Sequence, residues 1–134
     1  MKVIVAGSRD GFVAKNVFEA IEESPFLGKI TEIVSGTARG VDQDGEYYAK
    51  LRQLPVKRFP ANWNVHGKAA GHIRNAEMAE YADALVAVWD GSSKGTANMI
   101  ANMQKLNKPT YIYIKKKKKT FKKLKARPLC LRGL

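Results

Sequence analysis

Only one of the 134 residues is a cysteine, Cys130, which excludes a disulfide framework and a cysteine-rich zinc site. Histidine is almost as scarce. His66 and His72 have no cysteine or carboxylate partner at metal-ligand spacing, so no metal centre is expected. No apolar run approaches the ~20 residues of a membrane span, and no signal peptide precedes Met1–Gly7. The expected compartment is therefore the cytoplasm, and a membrane is not an expected partner. A Gly-x-Gly-x-x-Gly run is missing after the first apolar segment, which argues against a dinucleotide dehydrogenase.

Acidic residues are absent from one end. Residues 115–132 hold ten lysines and arginines and no carboxylate, whereas the rest of the chain sets 14 cations against all 12 acids. The net charge of +12 thus belongs almost entirely to a C-terminal tail. Self-repulsion in such a run favours an extended, solvated segment. One reading of 115–134 is a salt-sensitive, sequence-independent nucleic-acid tether through residues 115–132, and the other is a solvated tail without a role. The near-neutral body, residues 1–114, is expected to be one domain; its apolar content, within 45% for the whole chain, suffices for a single core.

Within that body, short apolar runs alternate with about four helical patterns. Val3–Ala6, Ile33-Val34, Val56–Phe59, Ala84–Trp89 and Thr110–Ile114 read as strands. Helical stripes fall at Val13, Val17, Ala20 and Ile21; at Tyr47, Tyr48, Leu51 and Leu54; at Ala69, Ala70, Ile73, Ala76 and Met78; and at Met99, Ile100, Met103 and Leu106. This alternation predicts an α/β fold: a three-layer, Rossmann-like, doubly wound sheet of about five mainly parallel strands with flanking helices. The first and fourth runs are apolar on both faces and belong in its interior.

Ligands of open α/β sheets sit beyond the carboxyl ends of the strands. Three Gly-containing loops fall there: Gly7-Ser8-Arg9-Asp10, Ser35-Gly36-Thr37-Ala38-Arg39-Gly40-Val41-Asp42, and Asp90-Gly91-Ser92-Ser93-Lys94-Gly95-Thr96. Glycines let a backbone approach a phosphate, helix-terminal N–H groups attract anions, and Arg9, Arg39 and Lys94 add charge. Arg39 has a local alternative, pairing with Asp42. Lys94-Gly95-Thr96 inverts the Gly-Lys-Thr order of a P-loop and lacks its upstream glycine, which excludes a Walker-type NTPase.

The segment from Pro60-Ala61-Asn62-Trp63 to Met78 places Arg74 and Asn75 in a helix of mainly small residues. Arg74 suits a phosphate or sugar, or a salt bridge to Glu77. Trp63 suits a base, or the core.

Val5–Arg9, Ser35–Asp42, Gly67–Asn75 with Met78, and Trp89–Thr96, in that order, resemble the YspA-like branch of the SLOG superfamily. That superfamily takes its name from the DNA-uptake protein DprA (Smf) and the LOG phosphoribohydrolases. The resemblance covers about residues 1–114. It implies a bacterial or phage protein with a Rossmann-like fold, binding a nucleotide or nucleotide-derived, ADP-ribose-like ligand at the strand ends. It also departs from the enzymes: LOG proteins place a glutamate three residues after the Gly-Thr, where this chain has Met99.

The leading expectation is therefore a ligand-binding module acting as sensor, carrier or sequestering protein. Its expected contacts are Gly7, Ser8, Arg9, Ser35, Gly36, Thr37, Arg39, Asp42, Trp63, Arg74, Asn75, Asp90, Gly91, Ser92, Lys94, Gly95 and Thr96. The alternatives are a nucleoside monophosphate phosphoribohydrolase, with Arg74, Glu77 and Asp90 as candidate catalytic residues, and a DprA-like single-strand binder. A second copy of the chain is a further candidate partner.

Overall fold

A computed structural model describes residues 1–114. The basic segment 115–134, and with it the domain boundary and the tether reading, lies outside the described residues. Five strands, β1 (Lys2–Gly7), β2 (Glu32–Ser35), β3 (Val56–Arg58), β4 (Ala84–Trp89) and β5 (Thr110–Ile114), form one sheet in the order β3-β2-β1-β4-β5. Every pairing is parallel. The expected Rossmann-like α/β architecture is thus the observed one, with the two doubly apolar strands at its centre.

Strand periodicity explains the layers. Successive side chains of a strand point to opposite faces, so Val3 and Val5 of β1 enter one core cluster while Ile4 and Ala6 enter the other. β4 divides in the same way, with Val86 and Val88 on the first face and Leu85 and Ala87 on the second. Helices α1 (Ala14–Glu23) and α2 (Val41–Leu51) cover the first face through Val17, Ile21, Val41, Tyr48 and Ala49. Helices α4 (Ala70–Tyr81) and α5 (Lys94–Lys105) cover the second through Met78, Ala79, Met99, Ile100 and Met103. Lys108 closes α4 by donating from Nζ to the carbonyls of Ala79, Glu80 and Ala82, where a cation also suits the helix dipole.

Helix faces differ from the sequence expectation in detail. The segment before α4 is not one continuous helix with it: a four-residue helix α3 (Trp63–His66) and a 3-10 turn (Gly67–Ala69) come first, and neither buries a residue. Ala69 and Ala76 face solvent, while Asn75 shares the buried face with Met78. In α2 Tyr47 and Leu51 are exposed, and the buried stripe runs through Val41, Gly45, Tyr48 and Ala49. Gly45 is the reason. A methyl group there would stand 2.8 Å from Val5 Cβ, so the helix lies on β1 along its glycine. Val13 and Leu106 sit at helix ends and are exposed.

Gly45→Ala should therefore destabilise the protein by a net of about 1–2 kcal/mol, overpacking outweighing the helix propensity of alanine. Gly71→Ala should instead stabilise by about 0.5–1 kcal/mol, since its nearest neighbour, Trp63, would be at an ordinary 3.8 Å. Chemical denaturation of both variants checks the contrast.

Candidate functional site

Parallel pairing sends every strand's carboxyl end to one edge. At that edge the chain departs from β1 towards β2 on one side and reaches β4 on the other, which makes the β1–β4 boundary the switch point. The strands are tightest there. A methyl on Gly7 would lie 2.0 Å from the Val88 carbonyl oxygen, and Ser8 N–H donates to that oxygen at 3.1 Å. The loops then diverge around a cleft of about 420 Å³.

Three loops wall this cleft and are held by one another. Gly40, at φ +83°, would drive a methyl to 2.4 Å from the Arg9 carbonyl, so the loop after β2 packs on the loop after β1. Ser8, nearly fully buried, accepts from Asp90 N–H at its hydroxyl and so joins the loops after β1 and β4. Asp90 Oδ1 accepts from the backbone of Ser92 at 2.8 Å and of Ser93 at 2.9 Å, and from the Ser92 hydroxyl. These donors, Ser92 N–H foremost, hold the Asp90 carboxyl below its usual range. Asp90 thereby fixes the turn that launches α5. Among the described residues no acceptor meets the N–H groups of Lys94, Gly95 and Thr96, and Gly95 and Thr96 line the cleft.

Arg74 and Asn75 act as a pair. Arg74 donates from Nη1 to the Gly36 carbonyl and from Nε to Asn75 Oδ1 at 3.0 Å. Asn75 passes the connection on, donating to the Gly95 carbonyl and to Asn98 Oδ1. The guanidinium thus pins the loop after β2, and its partner pins the first turn of α5. Nη2 has no protein acceptor among the described residues and remains available. Burial lowers the pKa of Arg74, with Asp42 opposing that shift.

Asp42 is more deeply buried than Arg74, only 6% exposed. Its Oδ2 accepts from Ala38 N–H at 3.1 Å, and no cation comes within ion-pair distance of it among the described residues. Loss of solvent, reinforced by Glu46, lifts its pKa from 3.8 to about 6; the Ala38 N–H, Arg74 and Arg9 hold it back from rising further. The floor of the cleft is apolar: Ala6, Met78 and Met99.

Of the residues expected from sequence, Gly7, Ser8, Arg9, Asp42, Arg74, Asn75, Asp90, Gly95 and Thr96 meet in this one cleft. The others lie around it. Ser35 is buried beneath, donating to Glu46 Oε2 at 2.6 Å and accepting from Thr37 N–H. Gly36 is buried against Arg74 and Asp42, and Thr37 turns the chain at φ +65°. Arg39 pairs with Asp10 rather than Asp42, at 3.2 Å and largely in solvent. Gly91, Ser92 and Lys94 are exposed, and Glu77 is exposed without a salt bridge to Arg74 among the described residues. Trp63 is 56% exposed; its ring leans towards Gly71 and fills no core position. The lining residues not among the expected contacts are Ala6, Asp10, Ala38, Ser93, Met78 and Met99. The two methionines look like ordinary helix-core positions, and they are, with their inner surfaces turned to the cleft.

The raised pKa of Asp42 has a cost. The acid is more readily protonated folded than unfolded, so its contribution to stability falls as pH rises from about 4 to about 6. Above that window the ionised form costs about 3 kcal/mol. Asp42→Asn should therefore raise stability by up to that amount at pH 7–8 and change it little at pH 4. Urea denaturation at the two pH values reads the difference.

The family model described as YAcAr, the YspA, cpYpsA-related SLOG family, matches residues 1–66, which include the loops after β1 and β2. The "Gene 61 protein" of Mycobacterium phage D29 is 34% identical over 118 residues, covering 81% of this chain and 92% of that protein. No solved structure matches. With the motifs after β1 and β2 inside the matched segment and a phage protein similar over nearly its full length, the chain belongs to the YspA, cpYpsA-related SLOG family.

Proposed function

We propose that this chain binds a nucleotide or nucleotide-derived ligand in the cleft at the β1–β4 switch point, as a sensor, carrier or sequestering module. Membership of the SLOG family supports nucleotide-related ligand binding at the coarse level. The observation that carries the finer reading is the division of labour around the cleft. Free N–H groups of Gly95 and Thr96 at the start of α5, with Arg9, offer an anion its donors. Ala6, with Met78 and Met99 packed behind it, gives the cleft an apolar floor under a ring. Asp42 and Asp90 offer acceptors. A volume of about 420 Å³ lies in the range of small-ligand sites. A second hollow, about 510 Å³ along α2 and β3, has no converging strand ends and is not preferred.

Binding is favoured over glycosidic hydrolysis. Cleaving an N-glycosidic bond builds positive charge at the anomeric carbon and calls for a carboxylate at that atom; Asp42 lines the cleft, but the resemblance places the enzymes' glutamate in the first turn of α5. One turn after Gly95-Thr96 the chain has Met99, 1% exposed and packed with Met78. Asp90 Oδ1 is engaged by the turn it forms, and Glu77 faces solvent away from the cleft lining.

Calorimetry with AMP, GMP and ADP-ribose tests this reading. Arg9→Ala should weaken binding by about 1.5 kcal/mol, the lower end for a charge-assisted bond because Arg9 is solvent-exposed. Lys94→Ala, outside the lining, should change it by less than about 0.5 kcal/mol. Chromatography of the same mixtures should show no free base. Failure of all three ligands to bind, or release of base, would overturn the reading.

A further inference from the structure

Asp42 is a buried carboxylate with half of its hydrogen bonding unused. Oδ2 is held by Ala38 N–H, whereas Oδ1 has no donor among the described residues. No polar side-chain atom that is completely buried among these residues lacks a partner, so Oδ1 must be reached from the cleft that Asp42 lines. A carboxylate 94% withdrawn from solvent, without an ion-pair partner, is costly to keep. The surrounding fold is built to keep it. Gly36 leaves room for it: a methyl there would meet Asp42 Oδ2 at 2.9 Å and Arg74 Nη1 at 2.8 Å.

The same glycine brings Asp42 and Arg74 side by side, and each has one polar atom without a protein partner among the described residues. Asp42 Oδ1 accepts, and Arg74 Nη2 donates, its sister nitrogen being engaged by Gly36. A hydroxyl group is both donor and acceptor, and two cis hydroxyls on one ring can engage such a pair together. Asp90 is the less discriminating acceptor: its Oδ2 is also without a protein donor among the described residues, but Asp90 is only half-buried, so water can serve that oxygen when no hydroxyl does. Resting on the nucleotide reading above, we infer that Asp42 reads the ribose hydroxyls of the ligand, so that the cleft selects ribonucleotides over 2′-deoxyribonucleotides. The physical basis is asymmetric. A deoxy ligand leaves the buried Oδ1 without a donor and without room for full hydration, a loss larger than the bond alone.

The experiment compares each ribonucleoside monophosphate with its 2′-deoxy counterpart by calorimetry on the full chain, then repeats the comparison for Asp42→Asn and Asp90→Asn. IMP beside AMP completes the set. Wild type should prefer the ribonucleotide by about 10- to 100-fold. Asp42→Asn should bring that ratio to within about threefold, while Asp90→Asn should leave it near the wild-type value. The asparagine is nearly isosteric, and removing the buried charge favours folding. Equal affinity for ribo and deoxy ligands in the wild type would overturn this inference and leave the nucleotide reading standing. So would a discrimination that Asp42→Asn abolishes between AMP and IMP rather than between sugars, which would assign Asp42 to the base amine. Absence of binding by every monophosphate would overturn both.

Discussion

The close pairing of β1 with β4 is the constraint on which the site depends. Gly7 admits the Val88 carbonyl to a distance that no side chain would allow, and the register holds from Val3–Ala84 to Gly7–Val88. Immediately beyond that contact the two chains separate, one to α1 and the other to α5. The cleft is the space they leave. Its depth follows from the sheet, and its chemistry follows from which residues stand in the first positions after Gly7 and Trp89.

The loops at this edge are held to one another by a chain of direct contacts. Gly40 packs on the backbone of Arg9, Ser8 accepts from Asp90, Arg74 holds Gly36, and Asn75 connects that arginine to Gly95. These contacts are polar and largely backbone-directed, so they fix geometry at modest gain in stability. Asp42 runs against stability at neutral pH. A residue that the fold would be better without energetically, placed at the wall of a cleft, fits the general pattern in which destabilising features gather at functional sites.

Much of this was legible in the sequence. Doubly apolar runs at Val3–Ala6 and Ala84–Trp89 mark central strands, and the short run before Lys57 and Arg58 becomes an edge. Glycine-containing loops after the first, second and fourth strands locate the edge at which the cleft opens. What was not legible depends on contacts between distant segments. Asp42 is expected at this edge from its loop, but its burial follows only from the way Gly36 and Ala38 fold over it. Arg39 finds Asp10, 29 residues away, through the packing of two loops. The hydrophobic pattern puts Tyr47 and Leu51 on the buried stripe of α2, whereas the close approach to the sheet is made by Gly45, which carries no hydrophobic signal. Trp63, an aromatic residue before a helix, lies on a short helix that buries nothing.

The most direct measurement is an amide NMR titration of the full chain with AMP, GMP and ADP-ribose. Binding at the switch point predicts that shifts concentrate at Ser8, Arg9, Ala38, Asp42, Gly95 and Thr96, with Thr31, Asp83 and Lys108 at the opposite edge unmoved. Shifts centred on Tyr47, Leu54 and Val56, or a spectrum unchanged by all three ligands, would contradict a nucleotide site formed where β1 and β4 part.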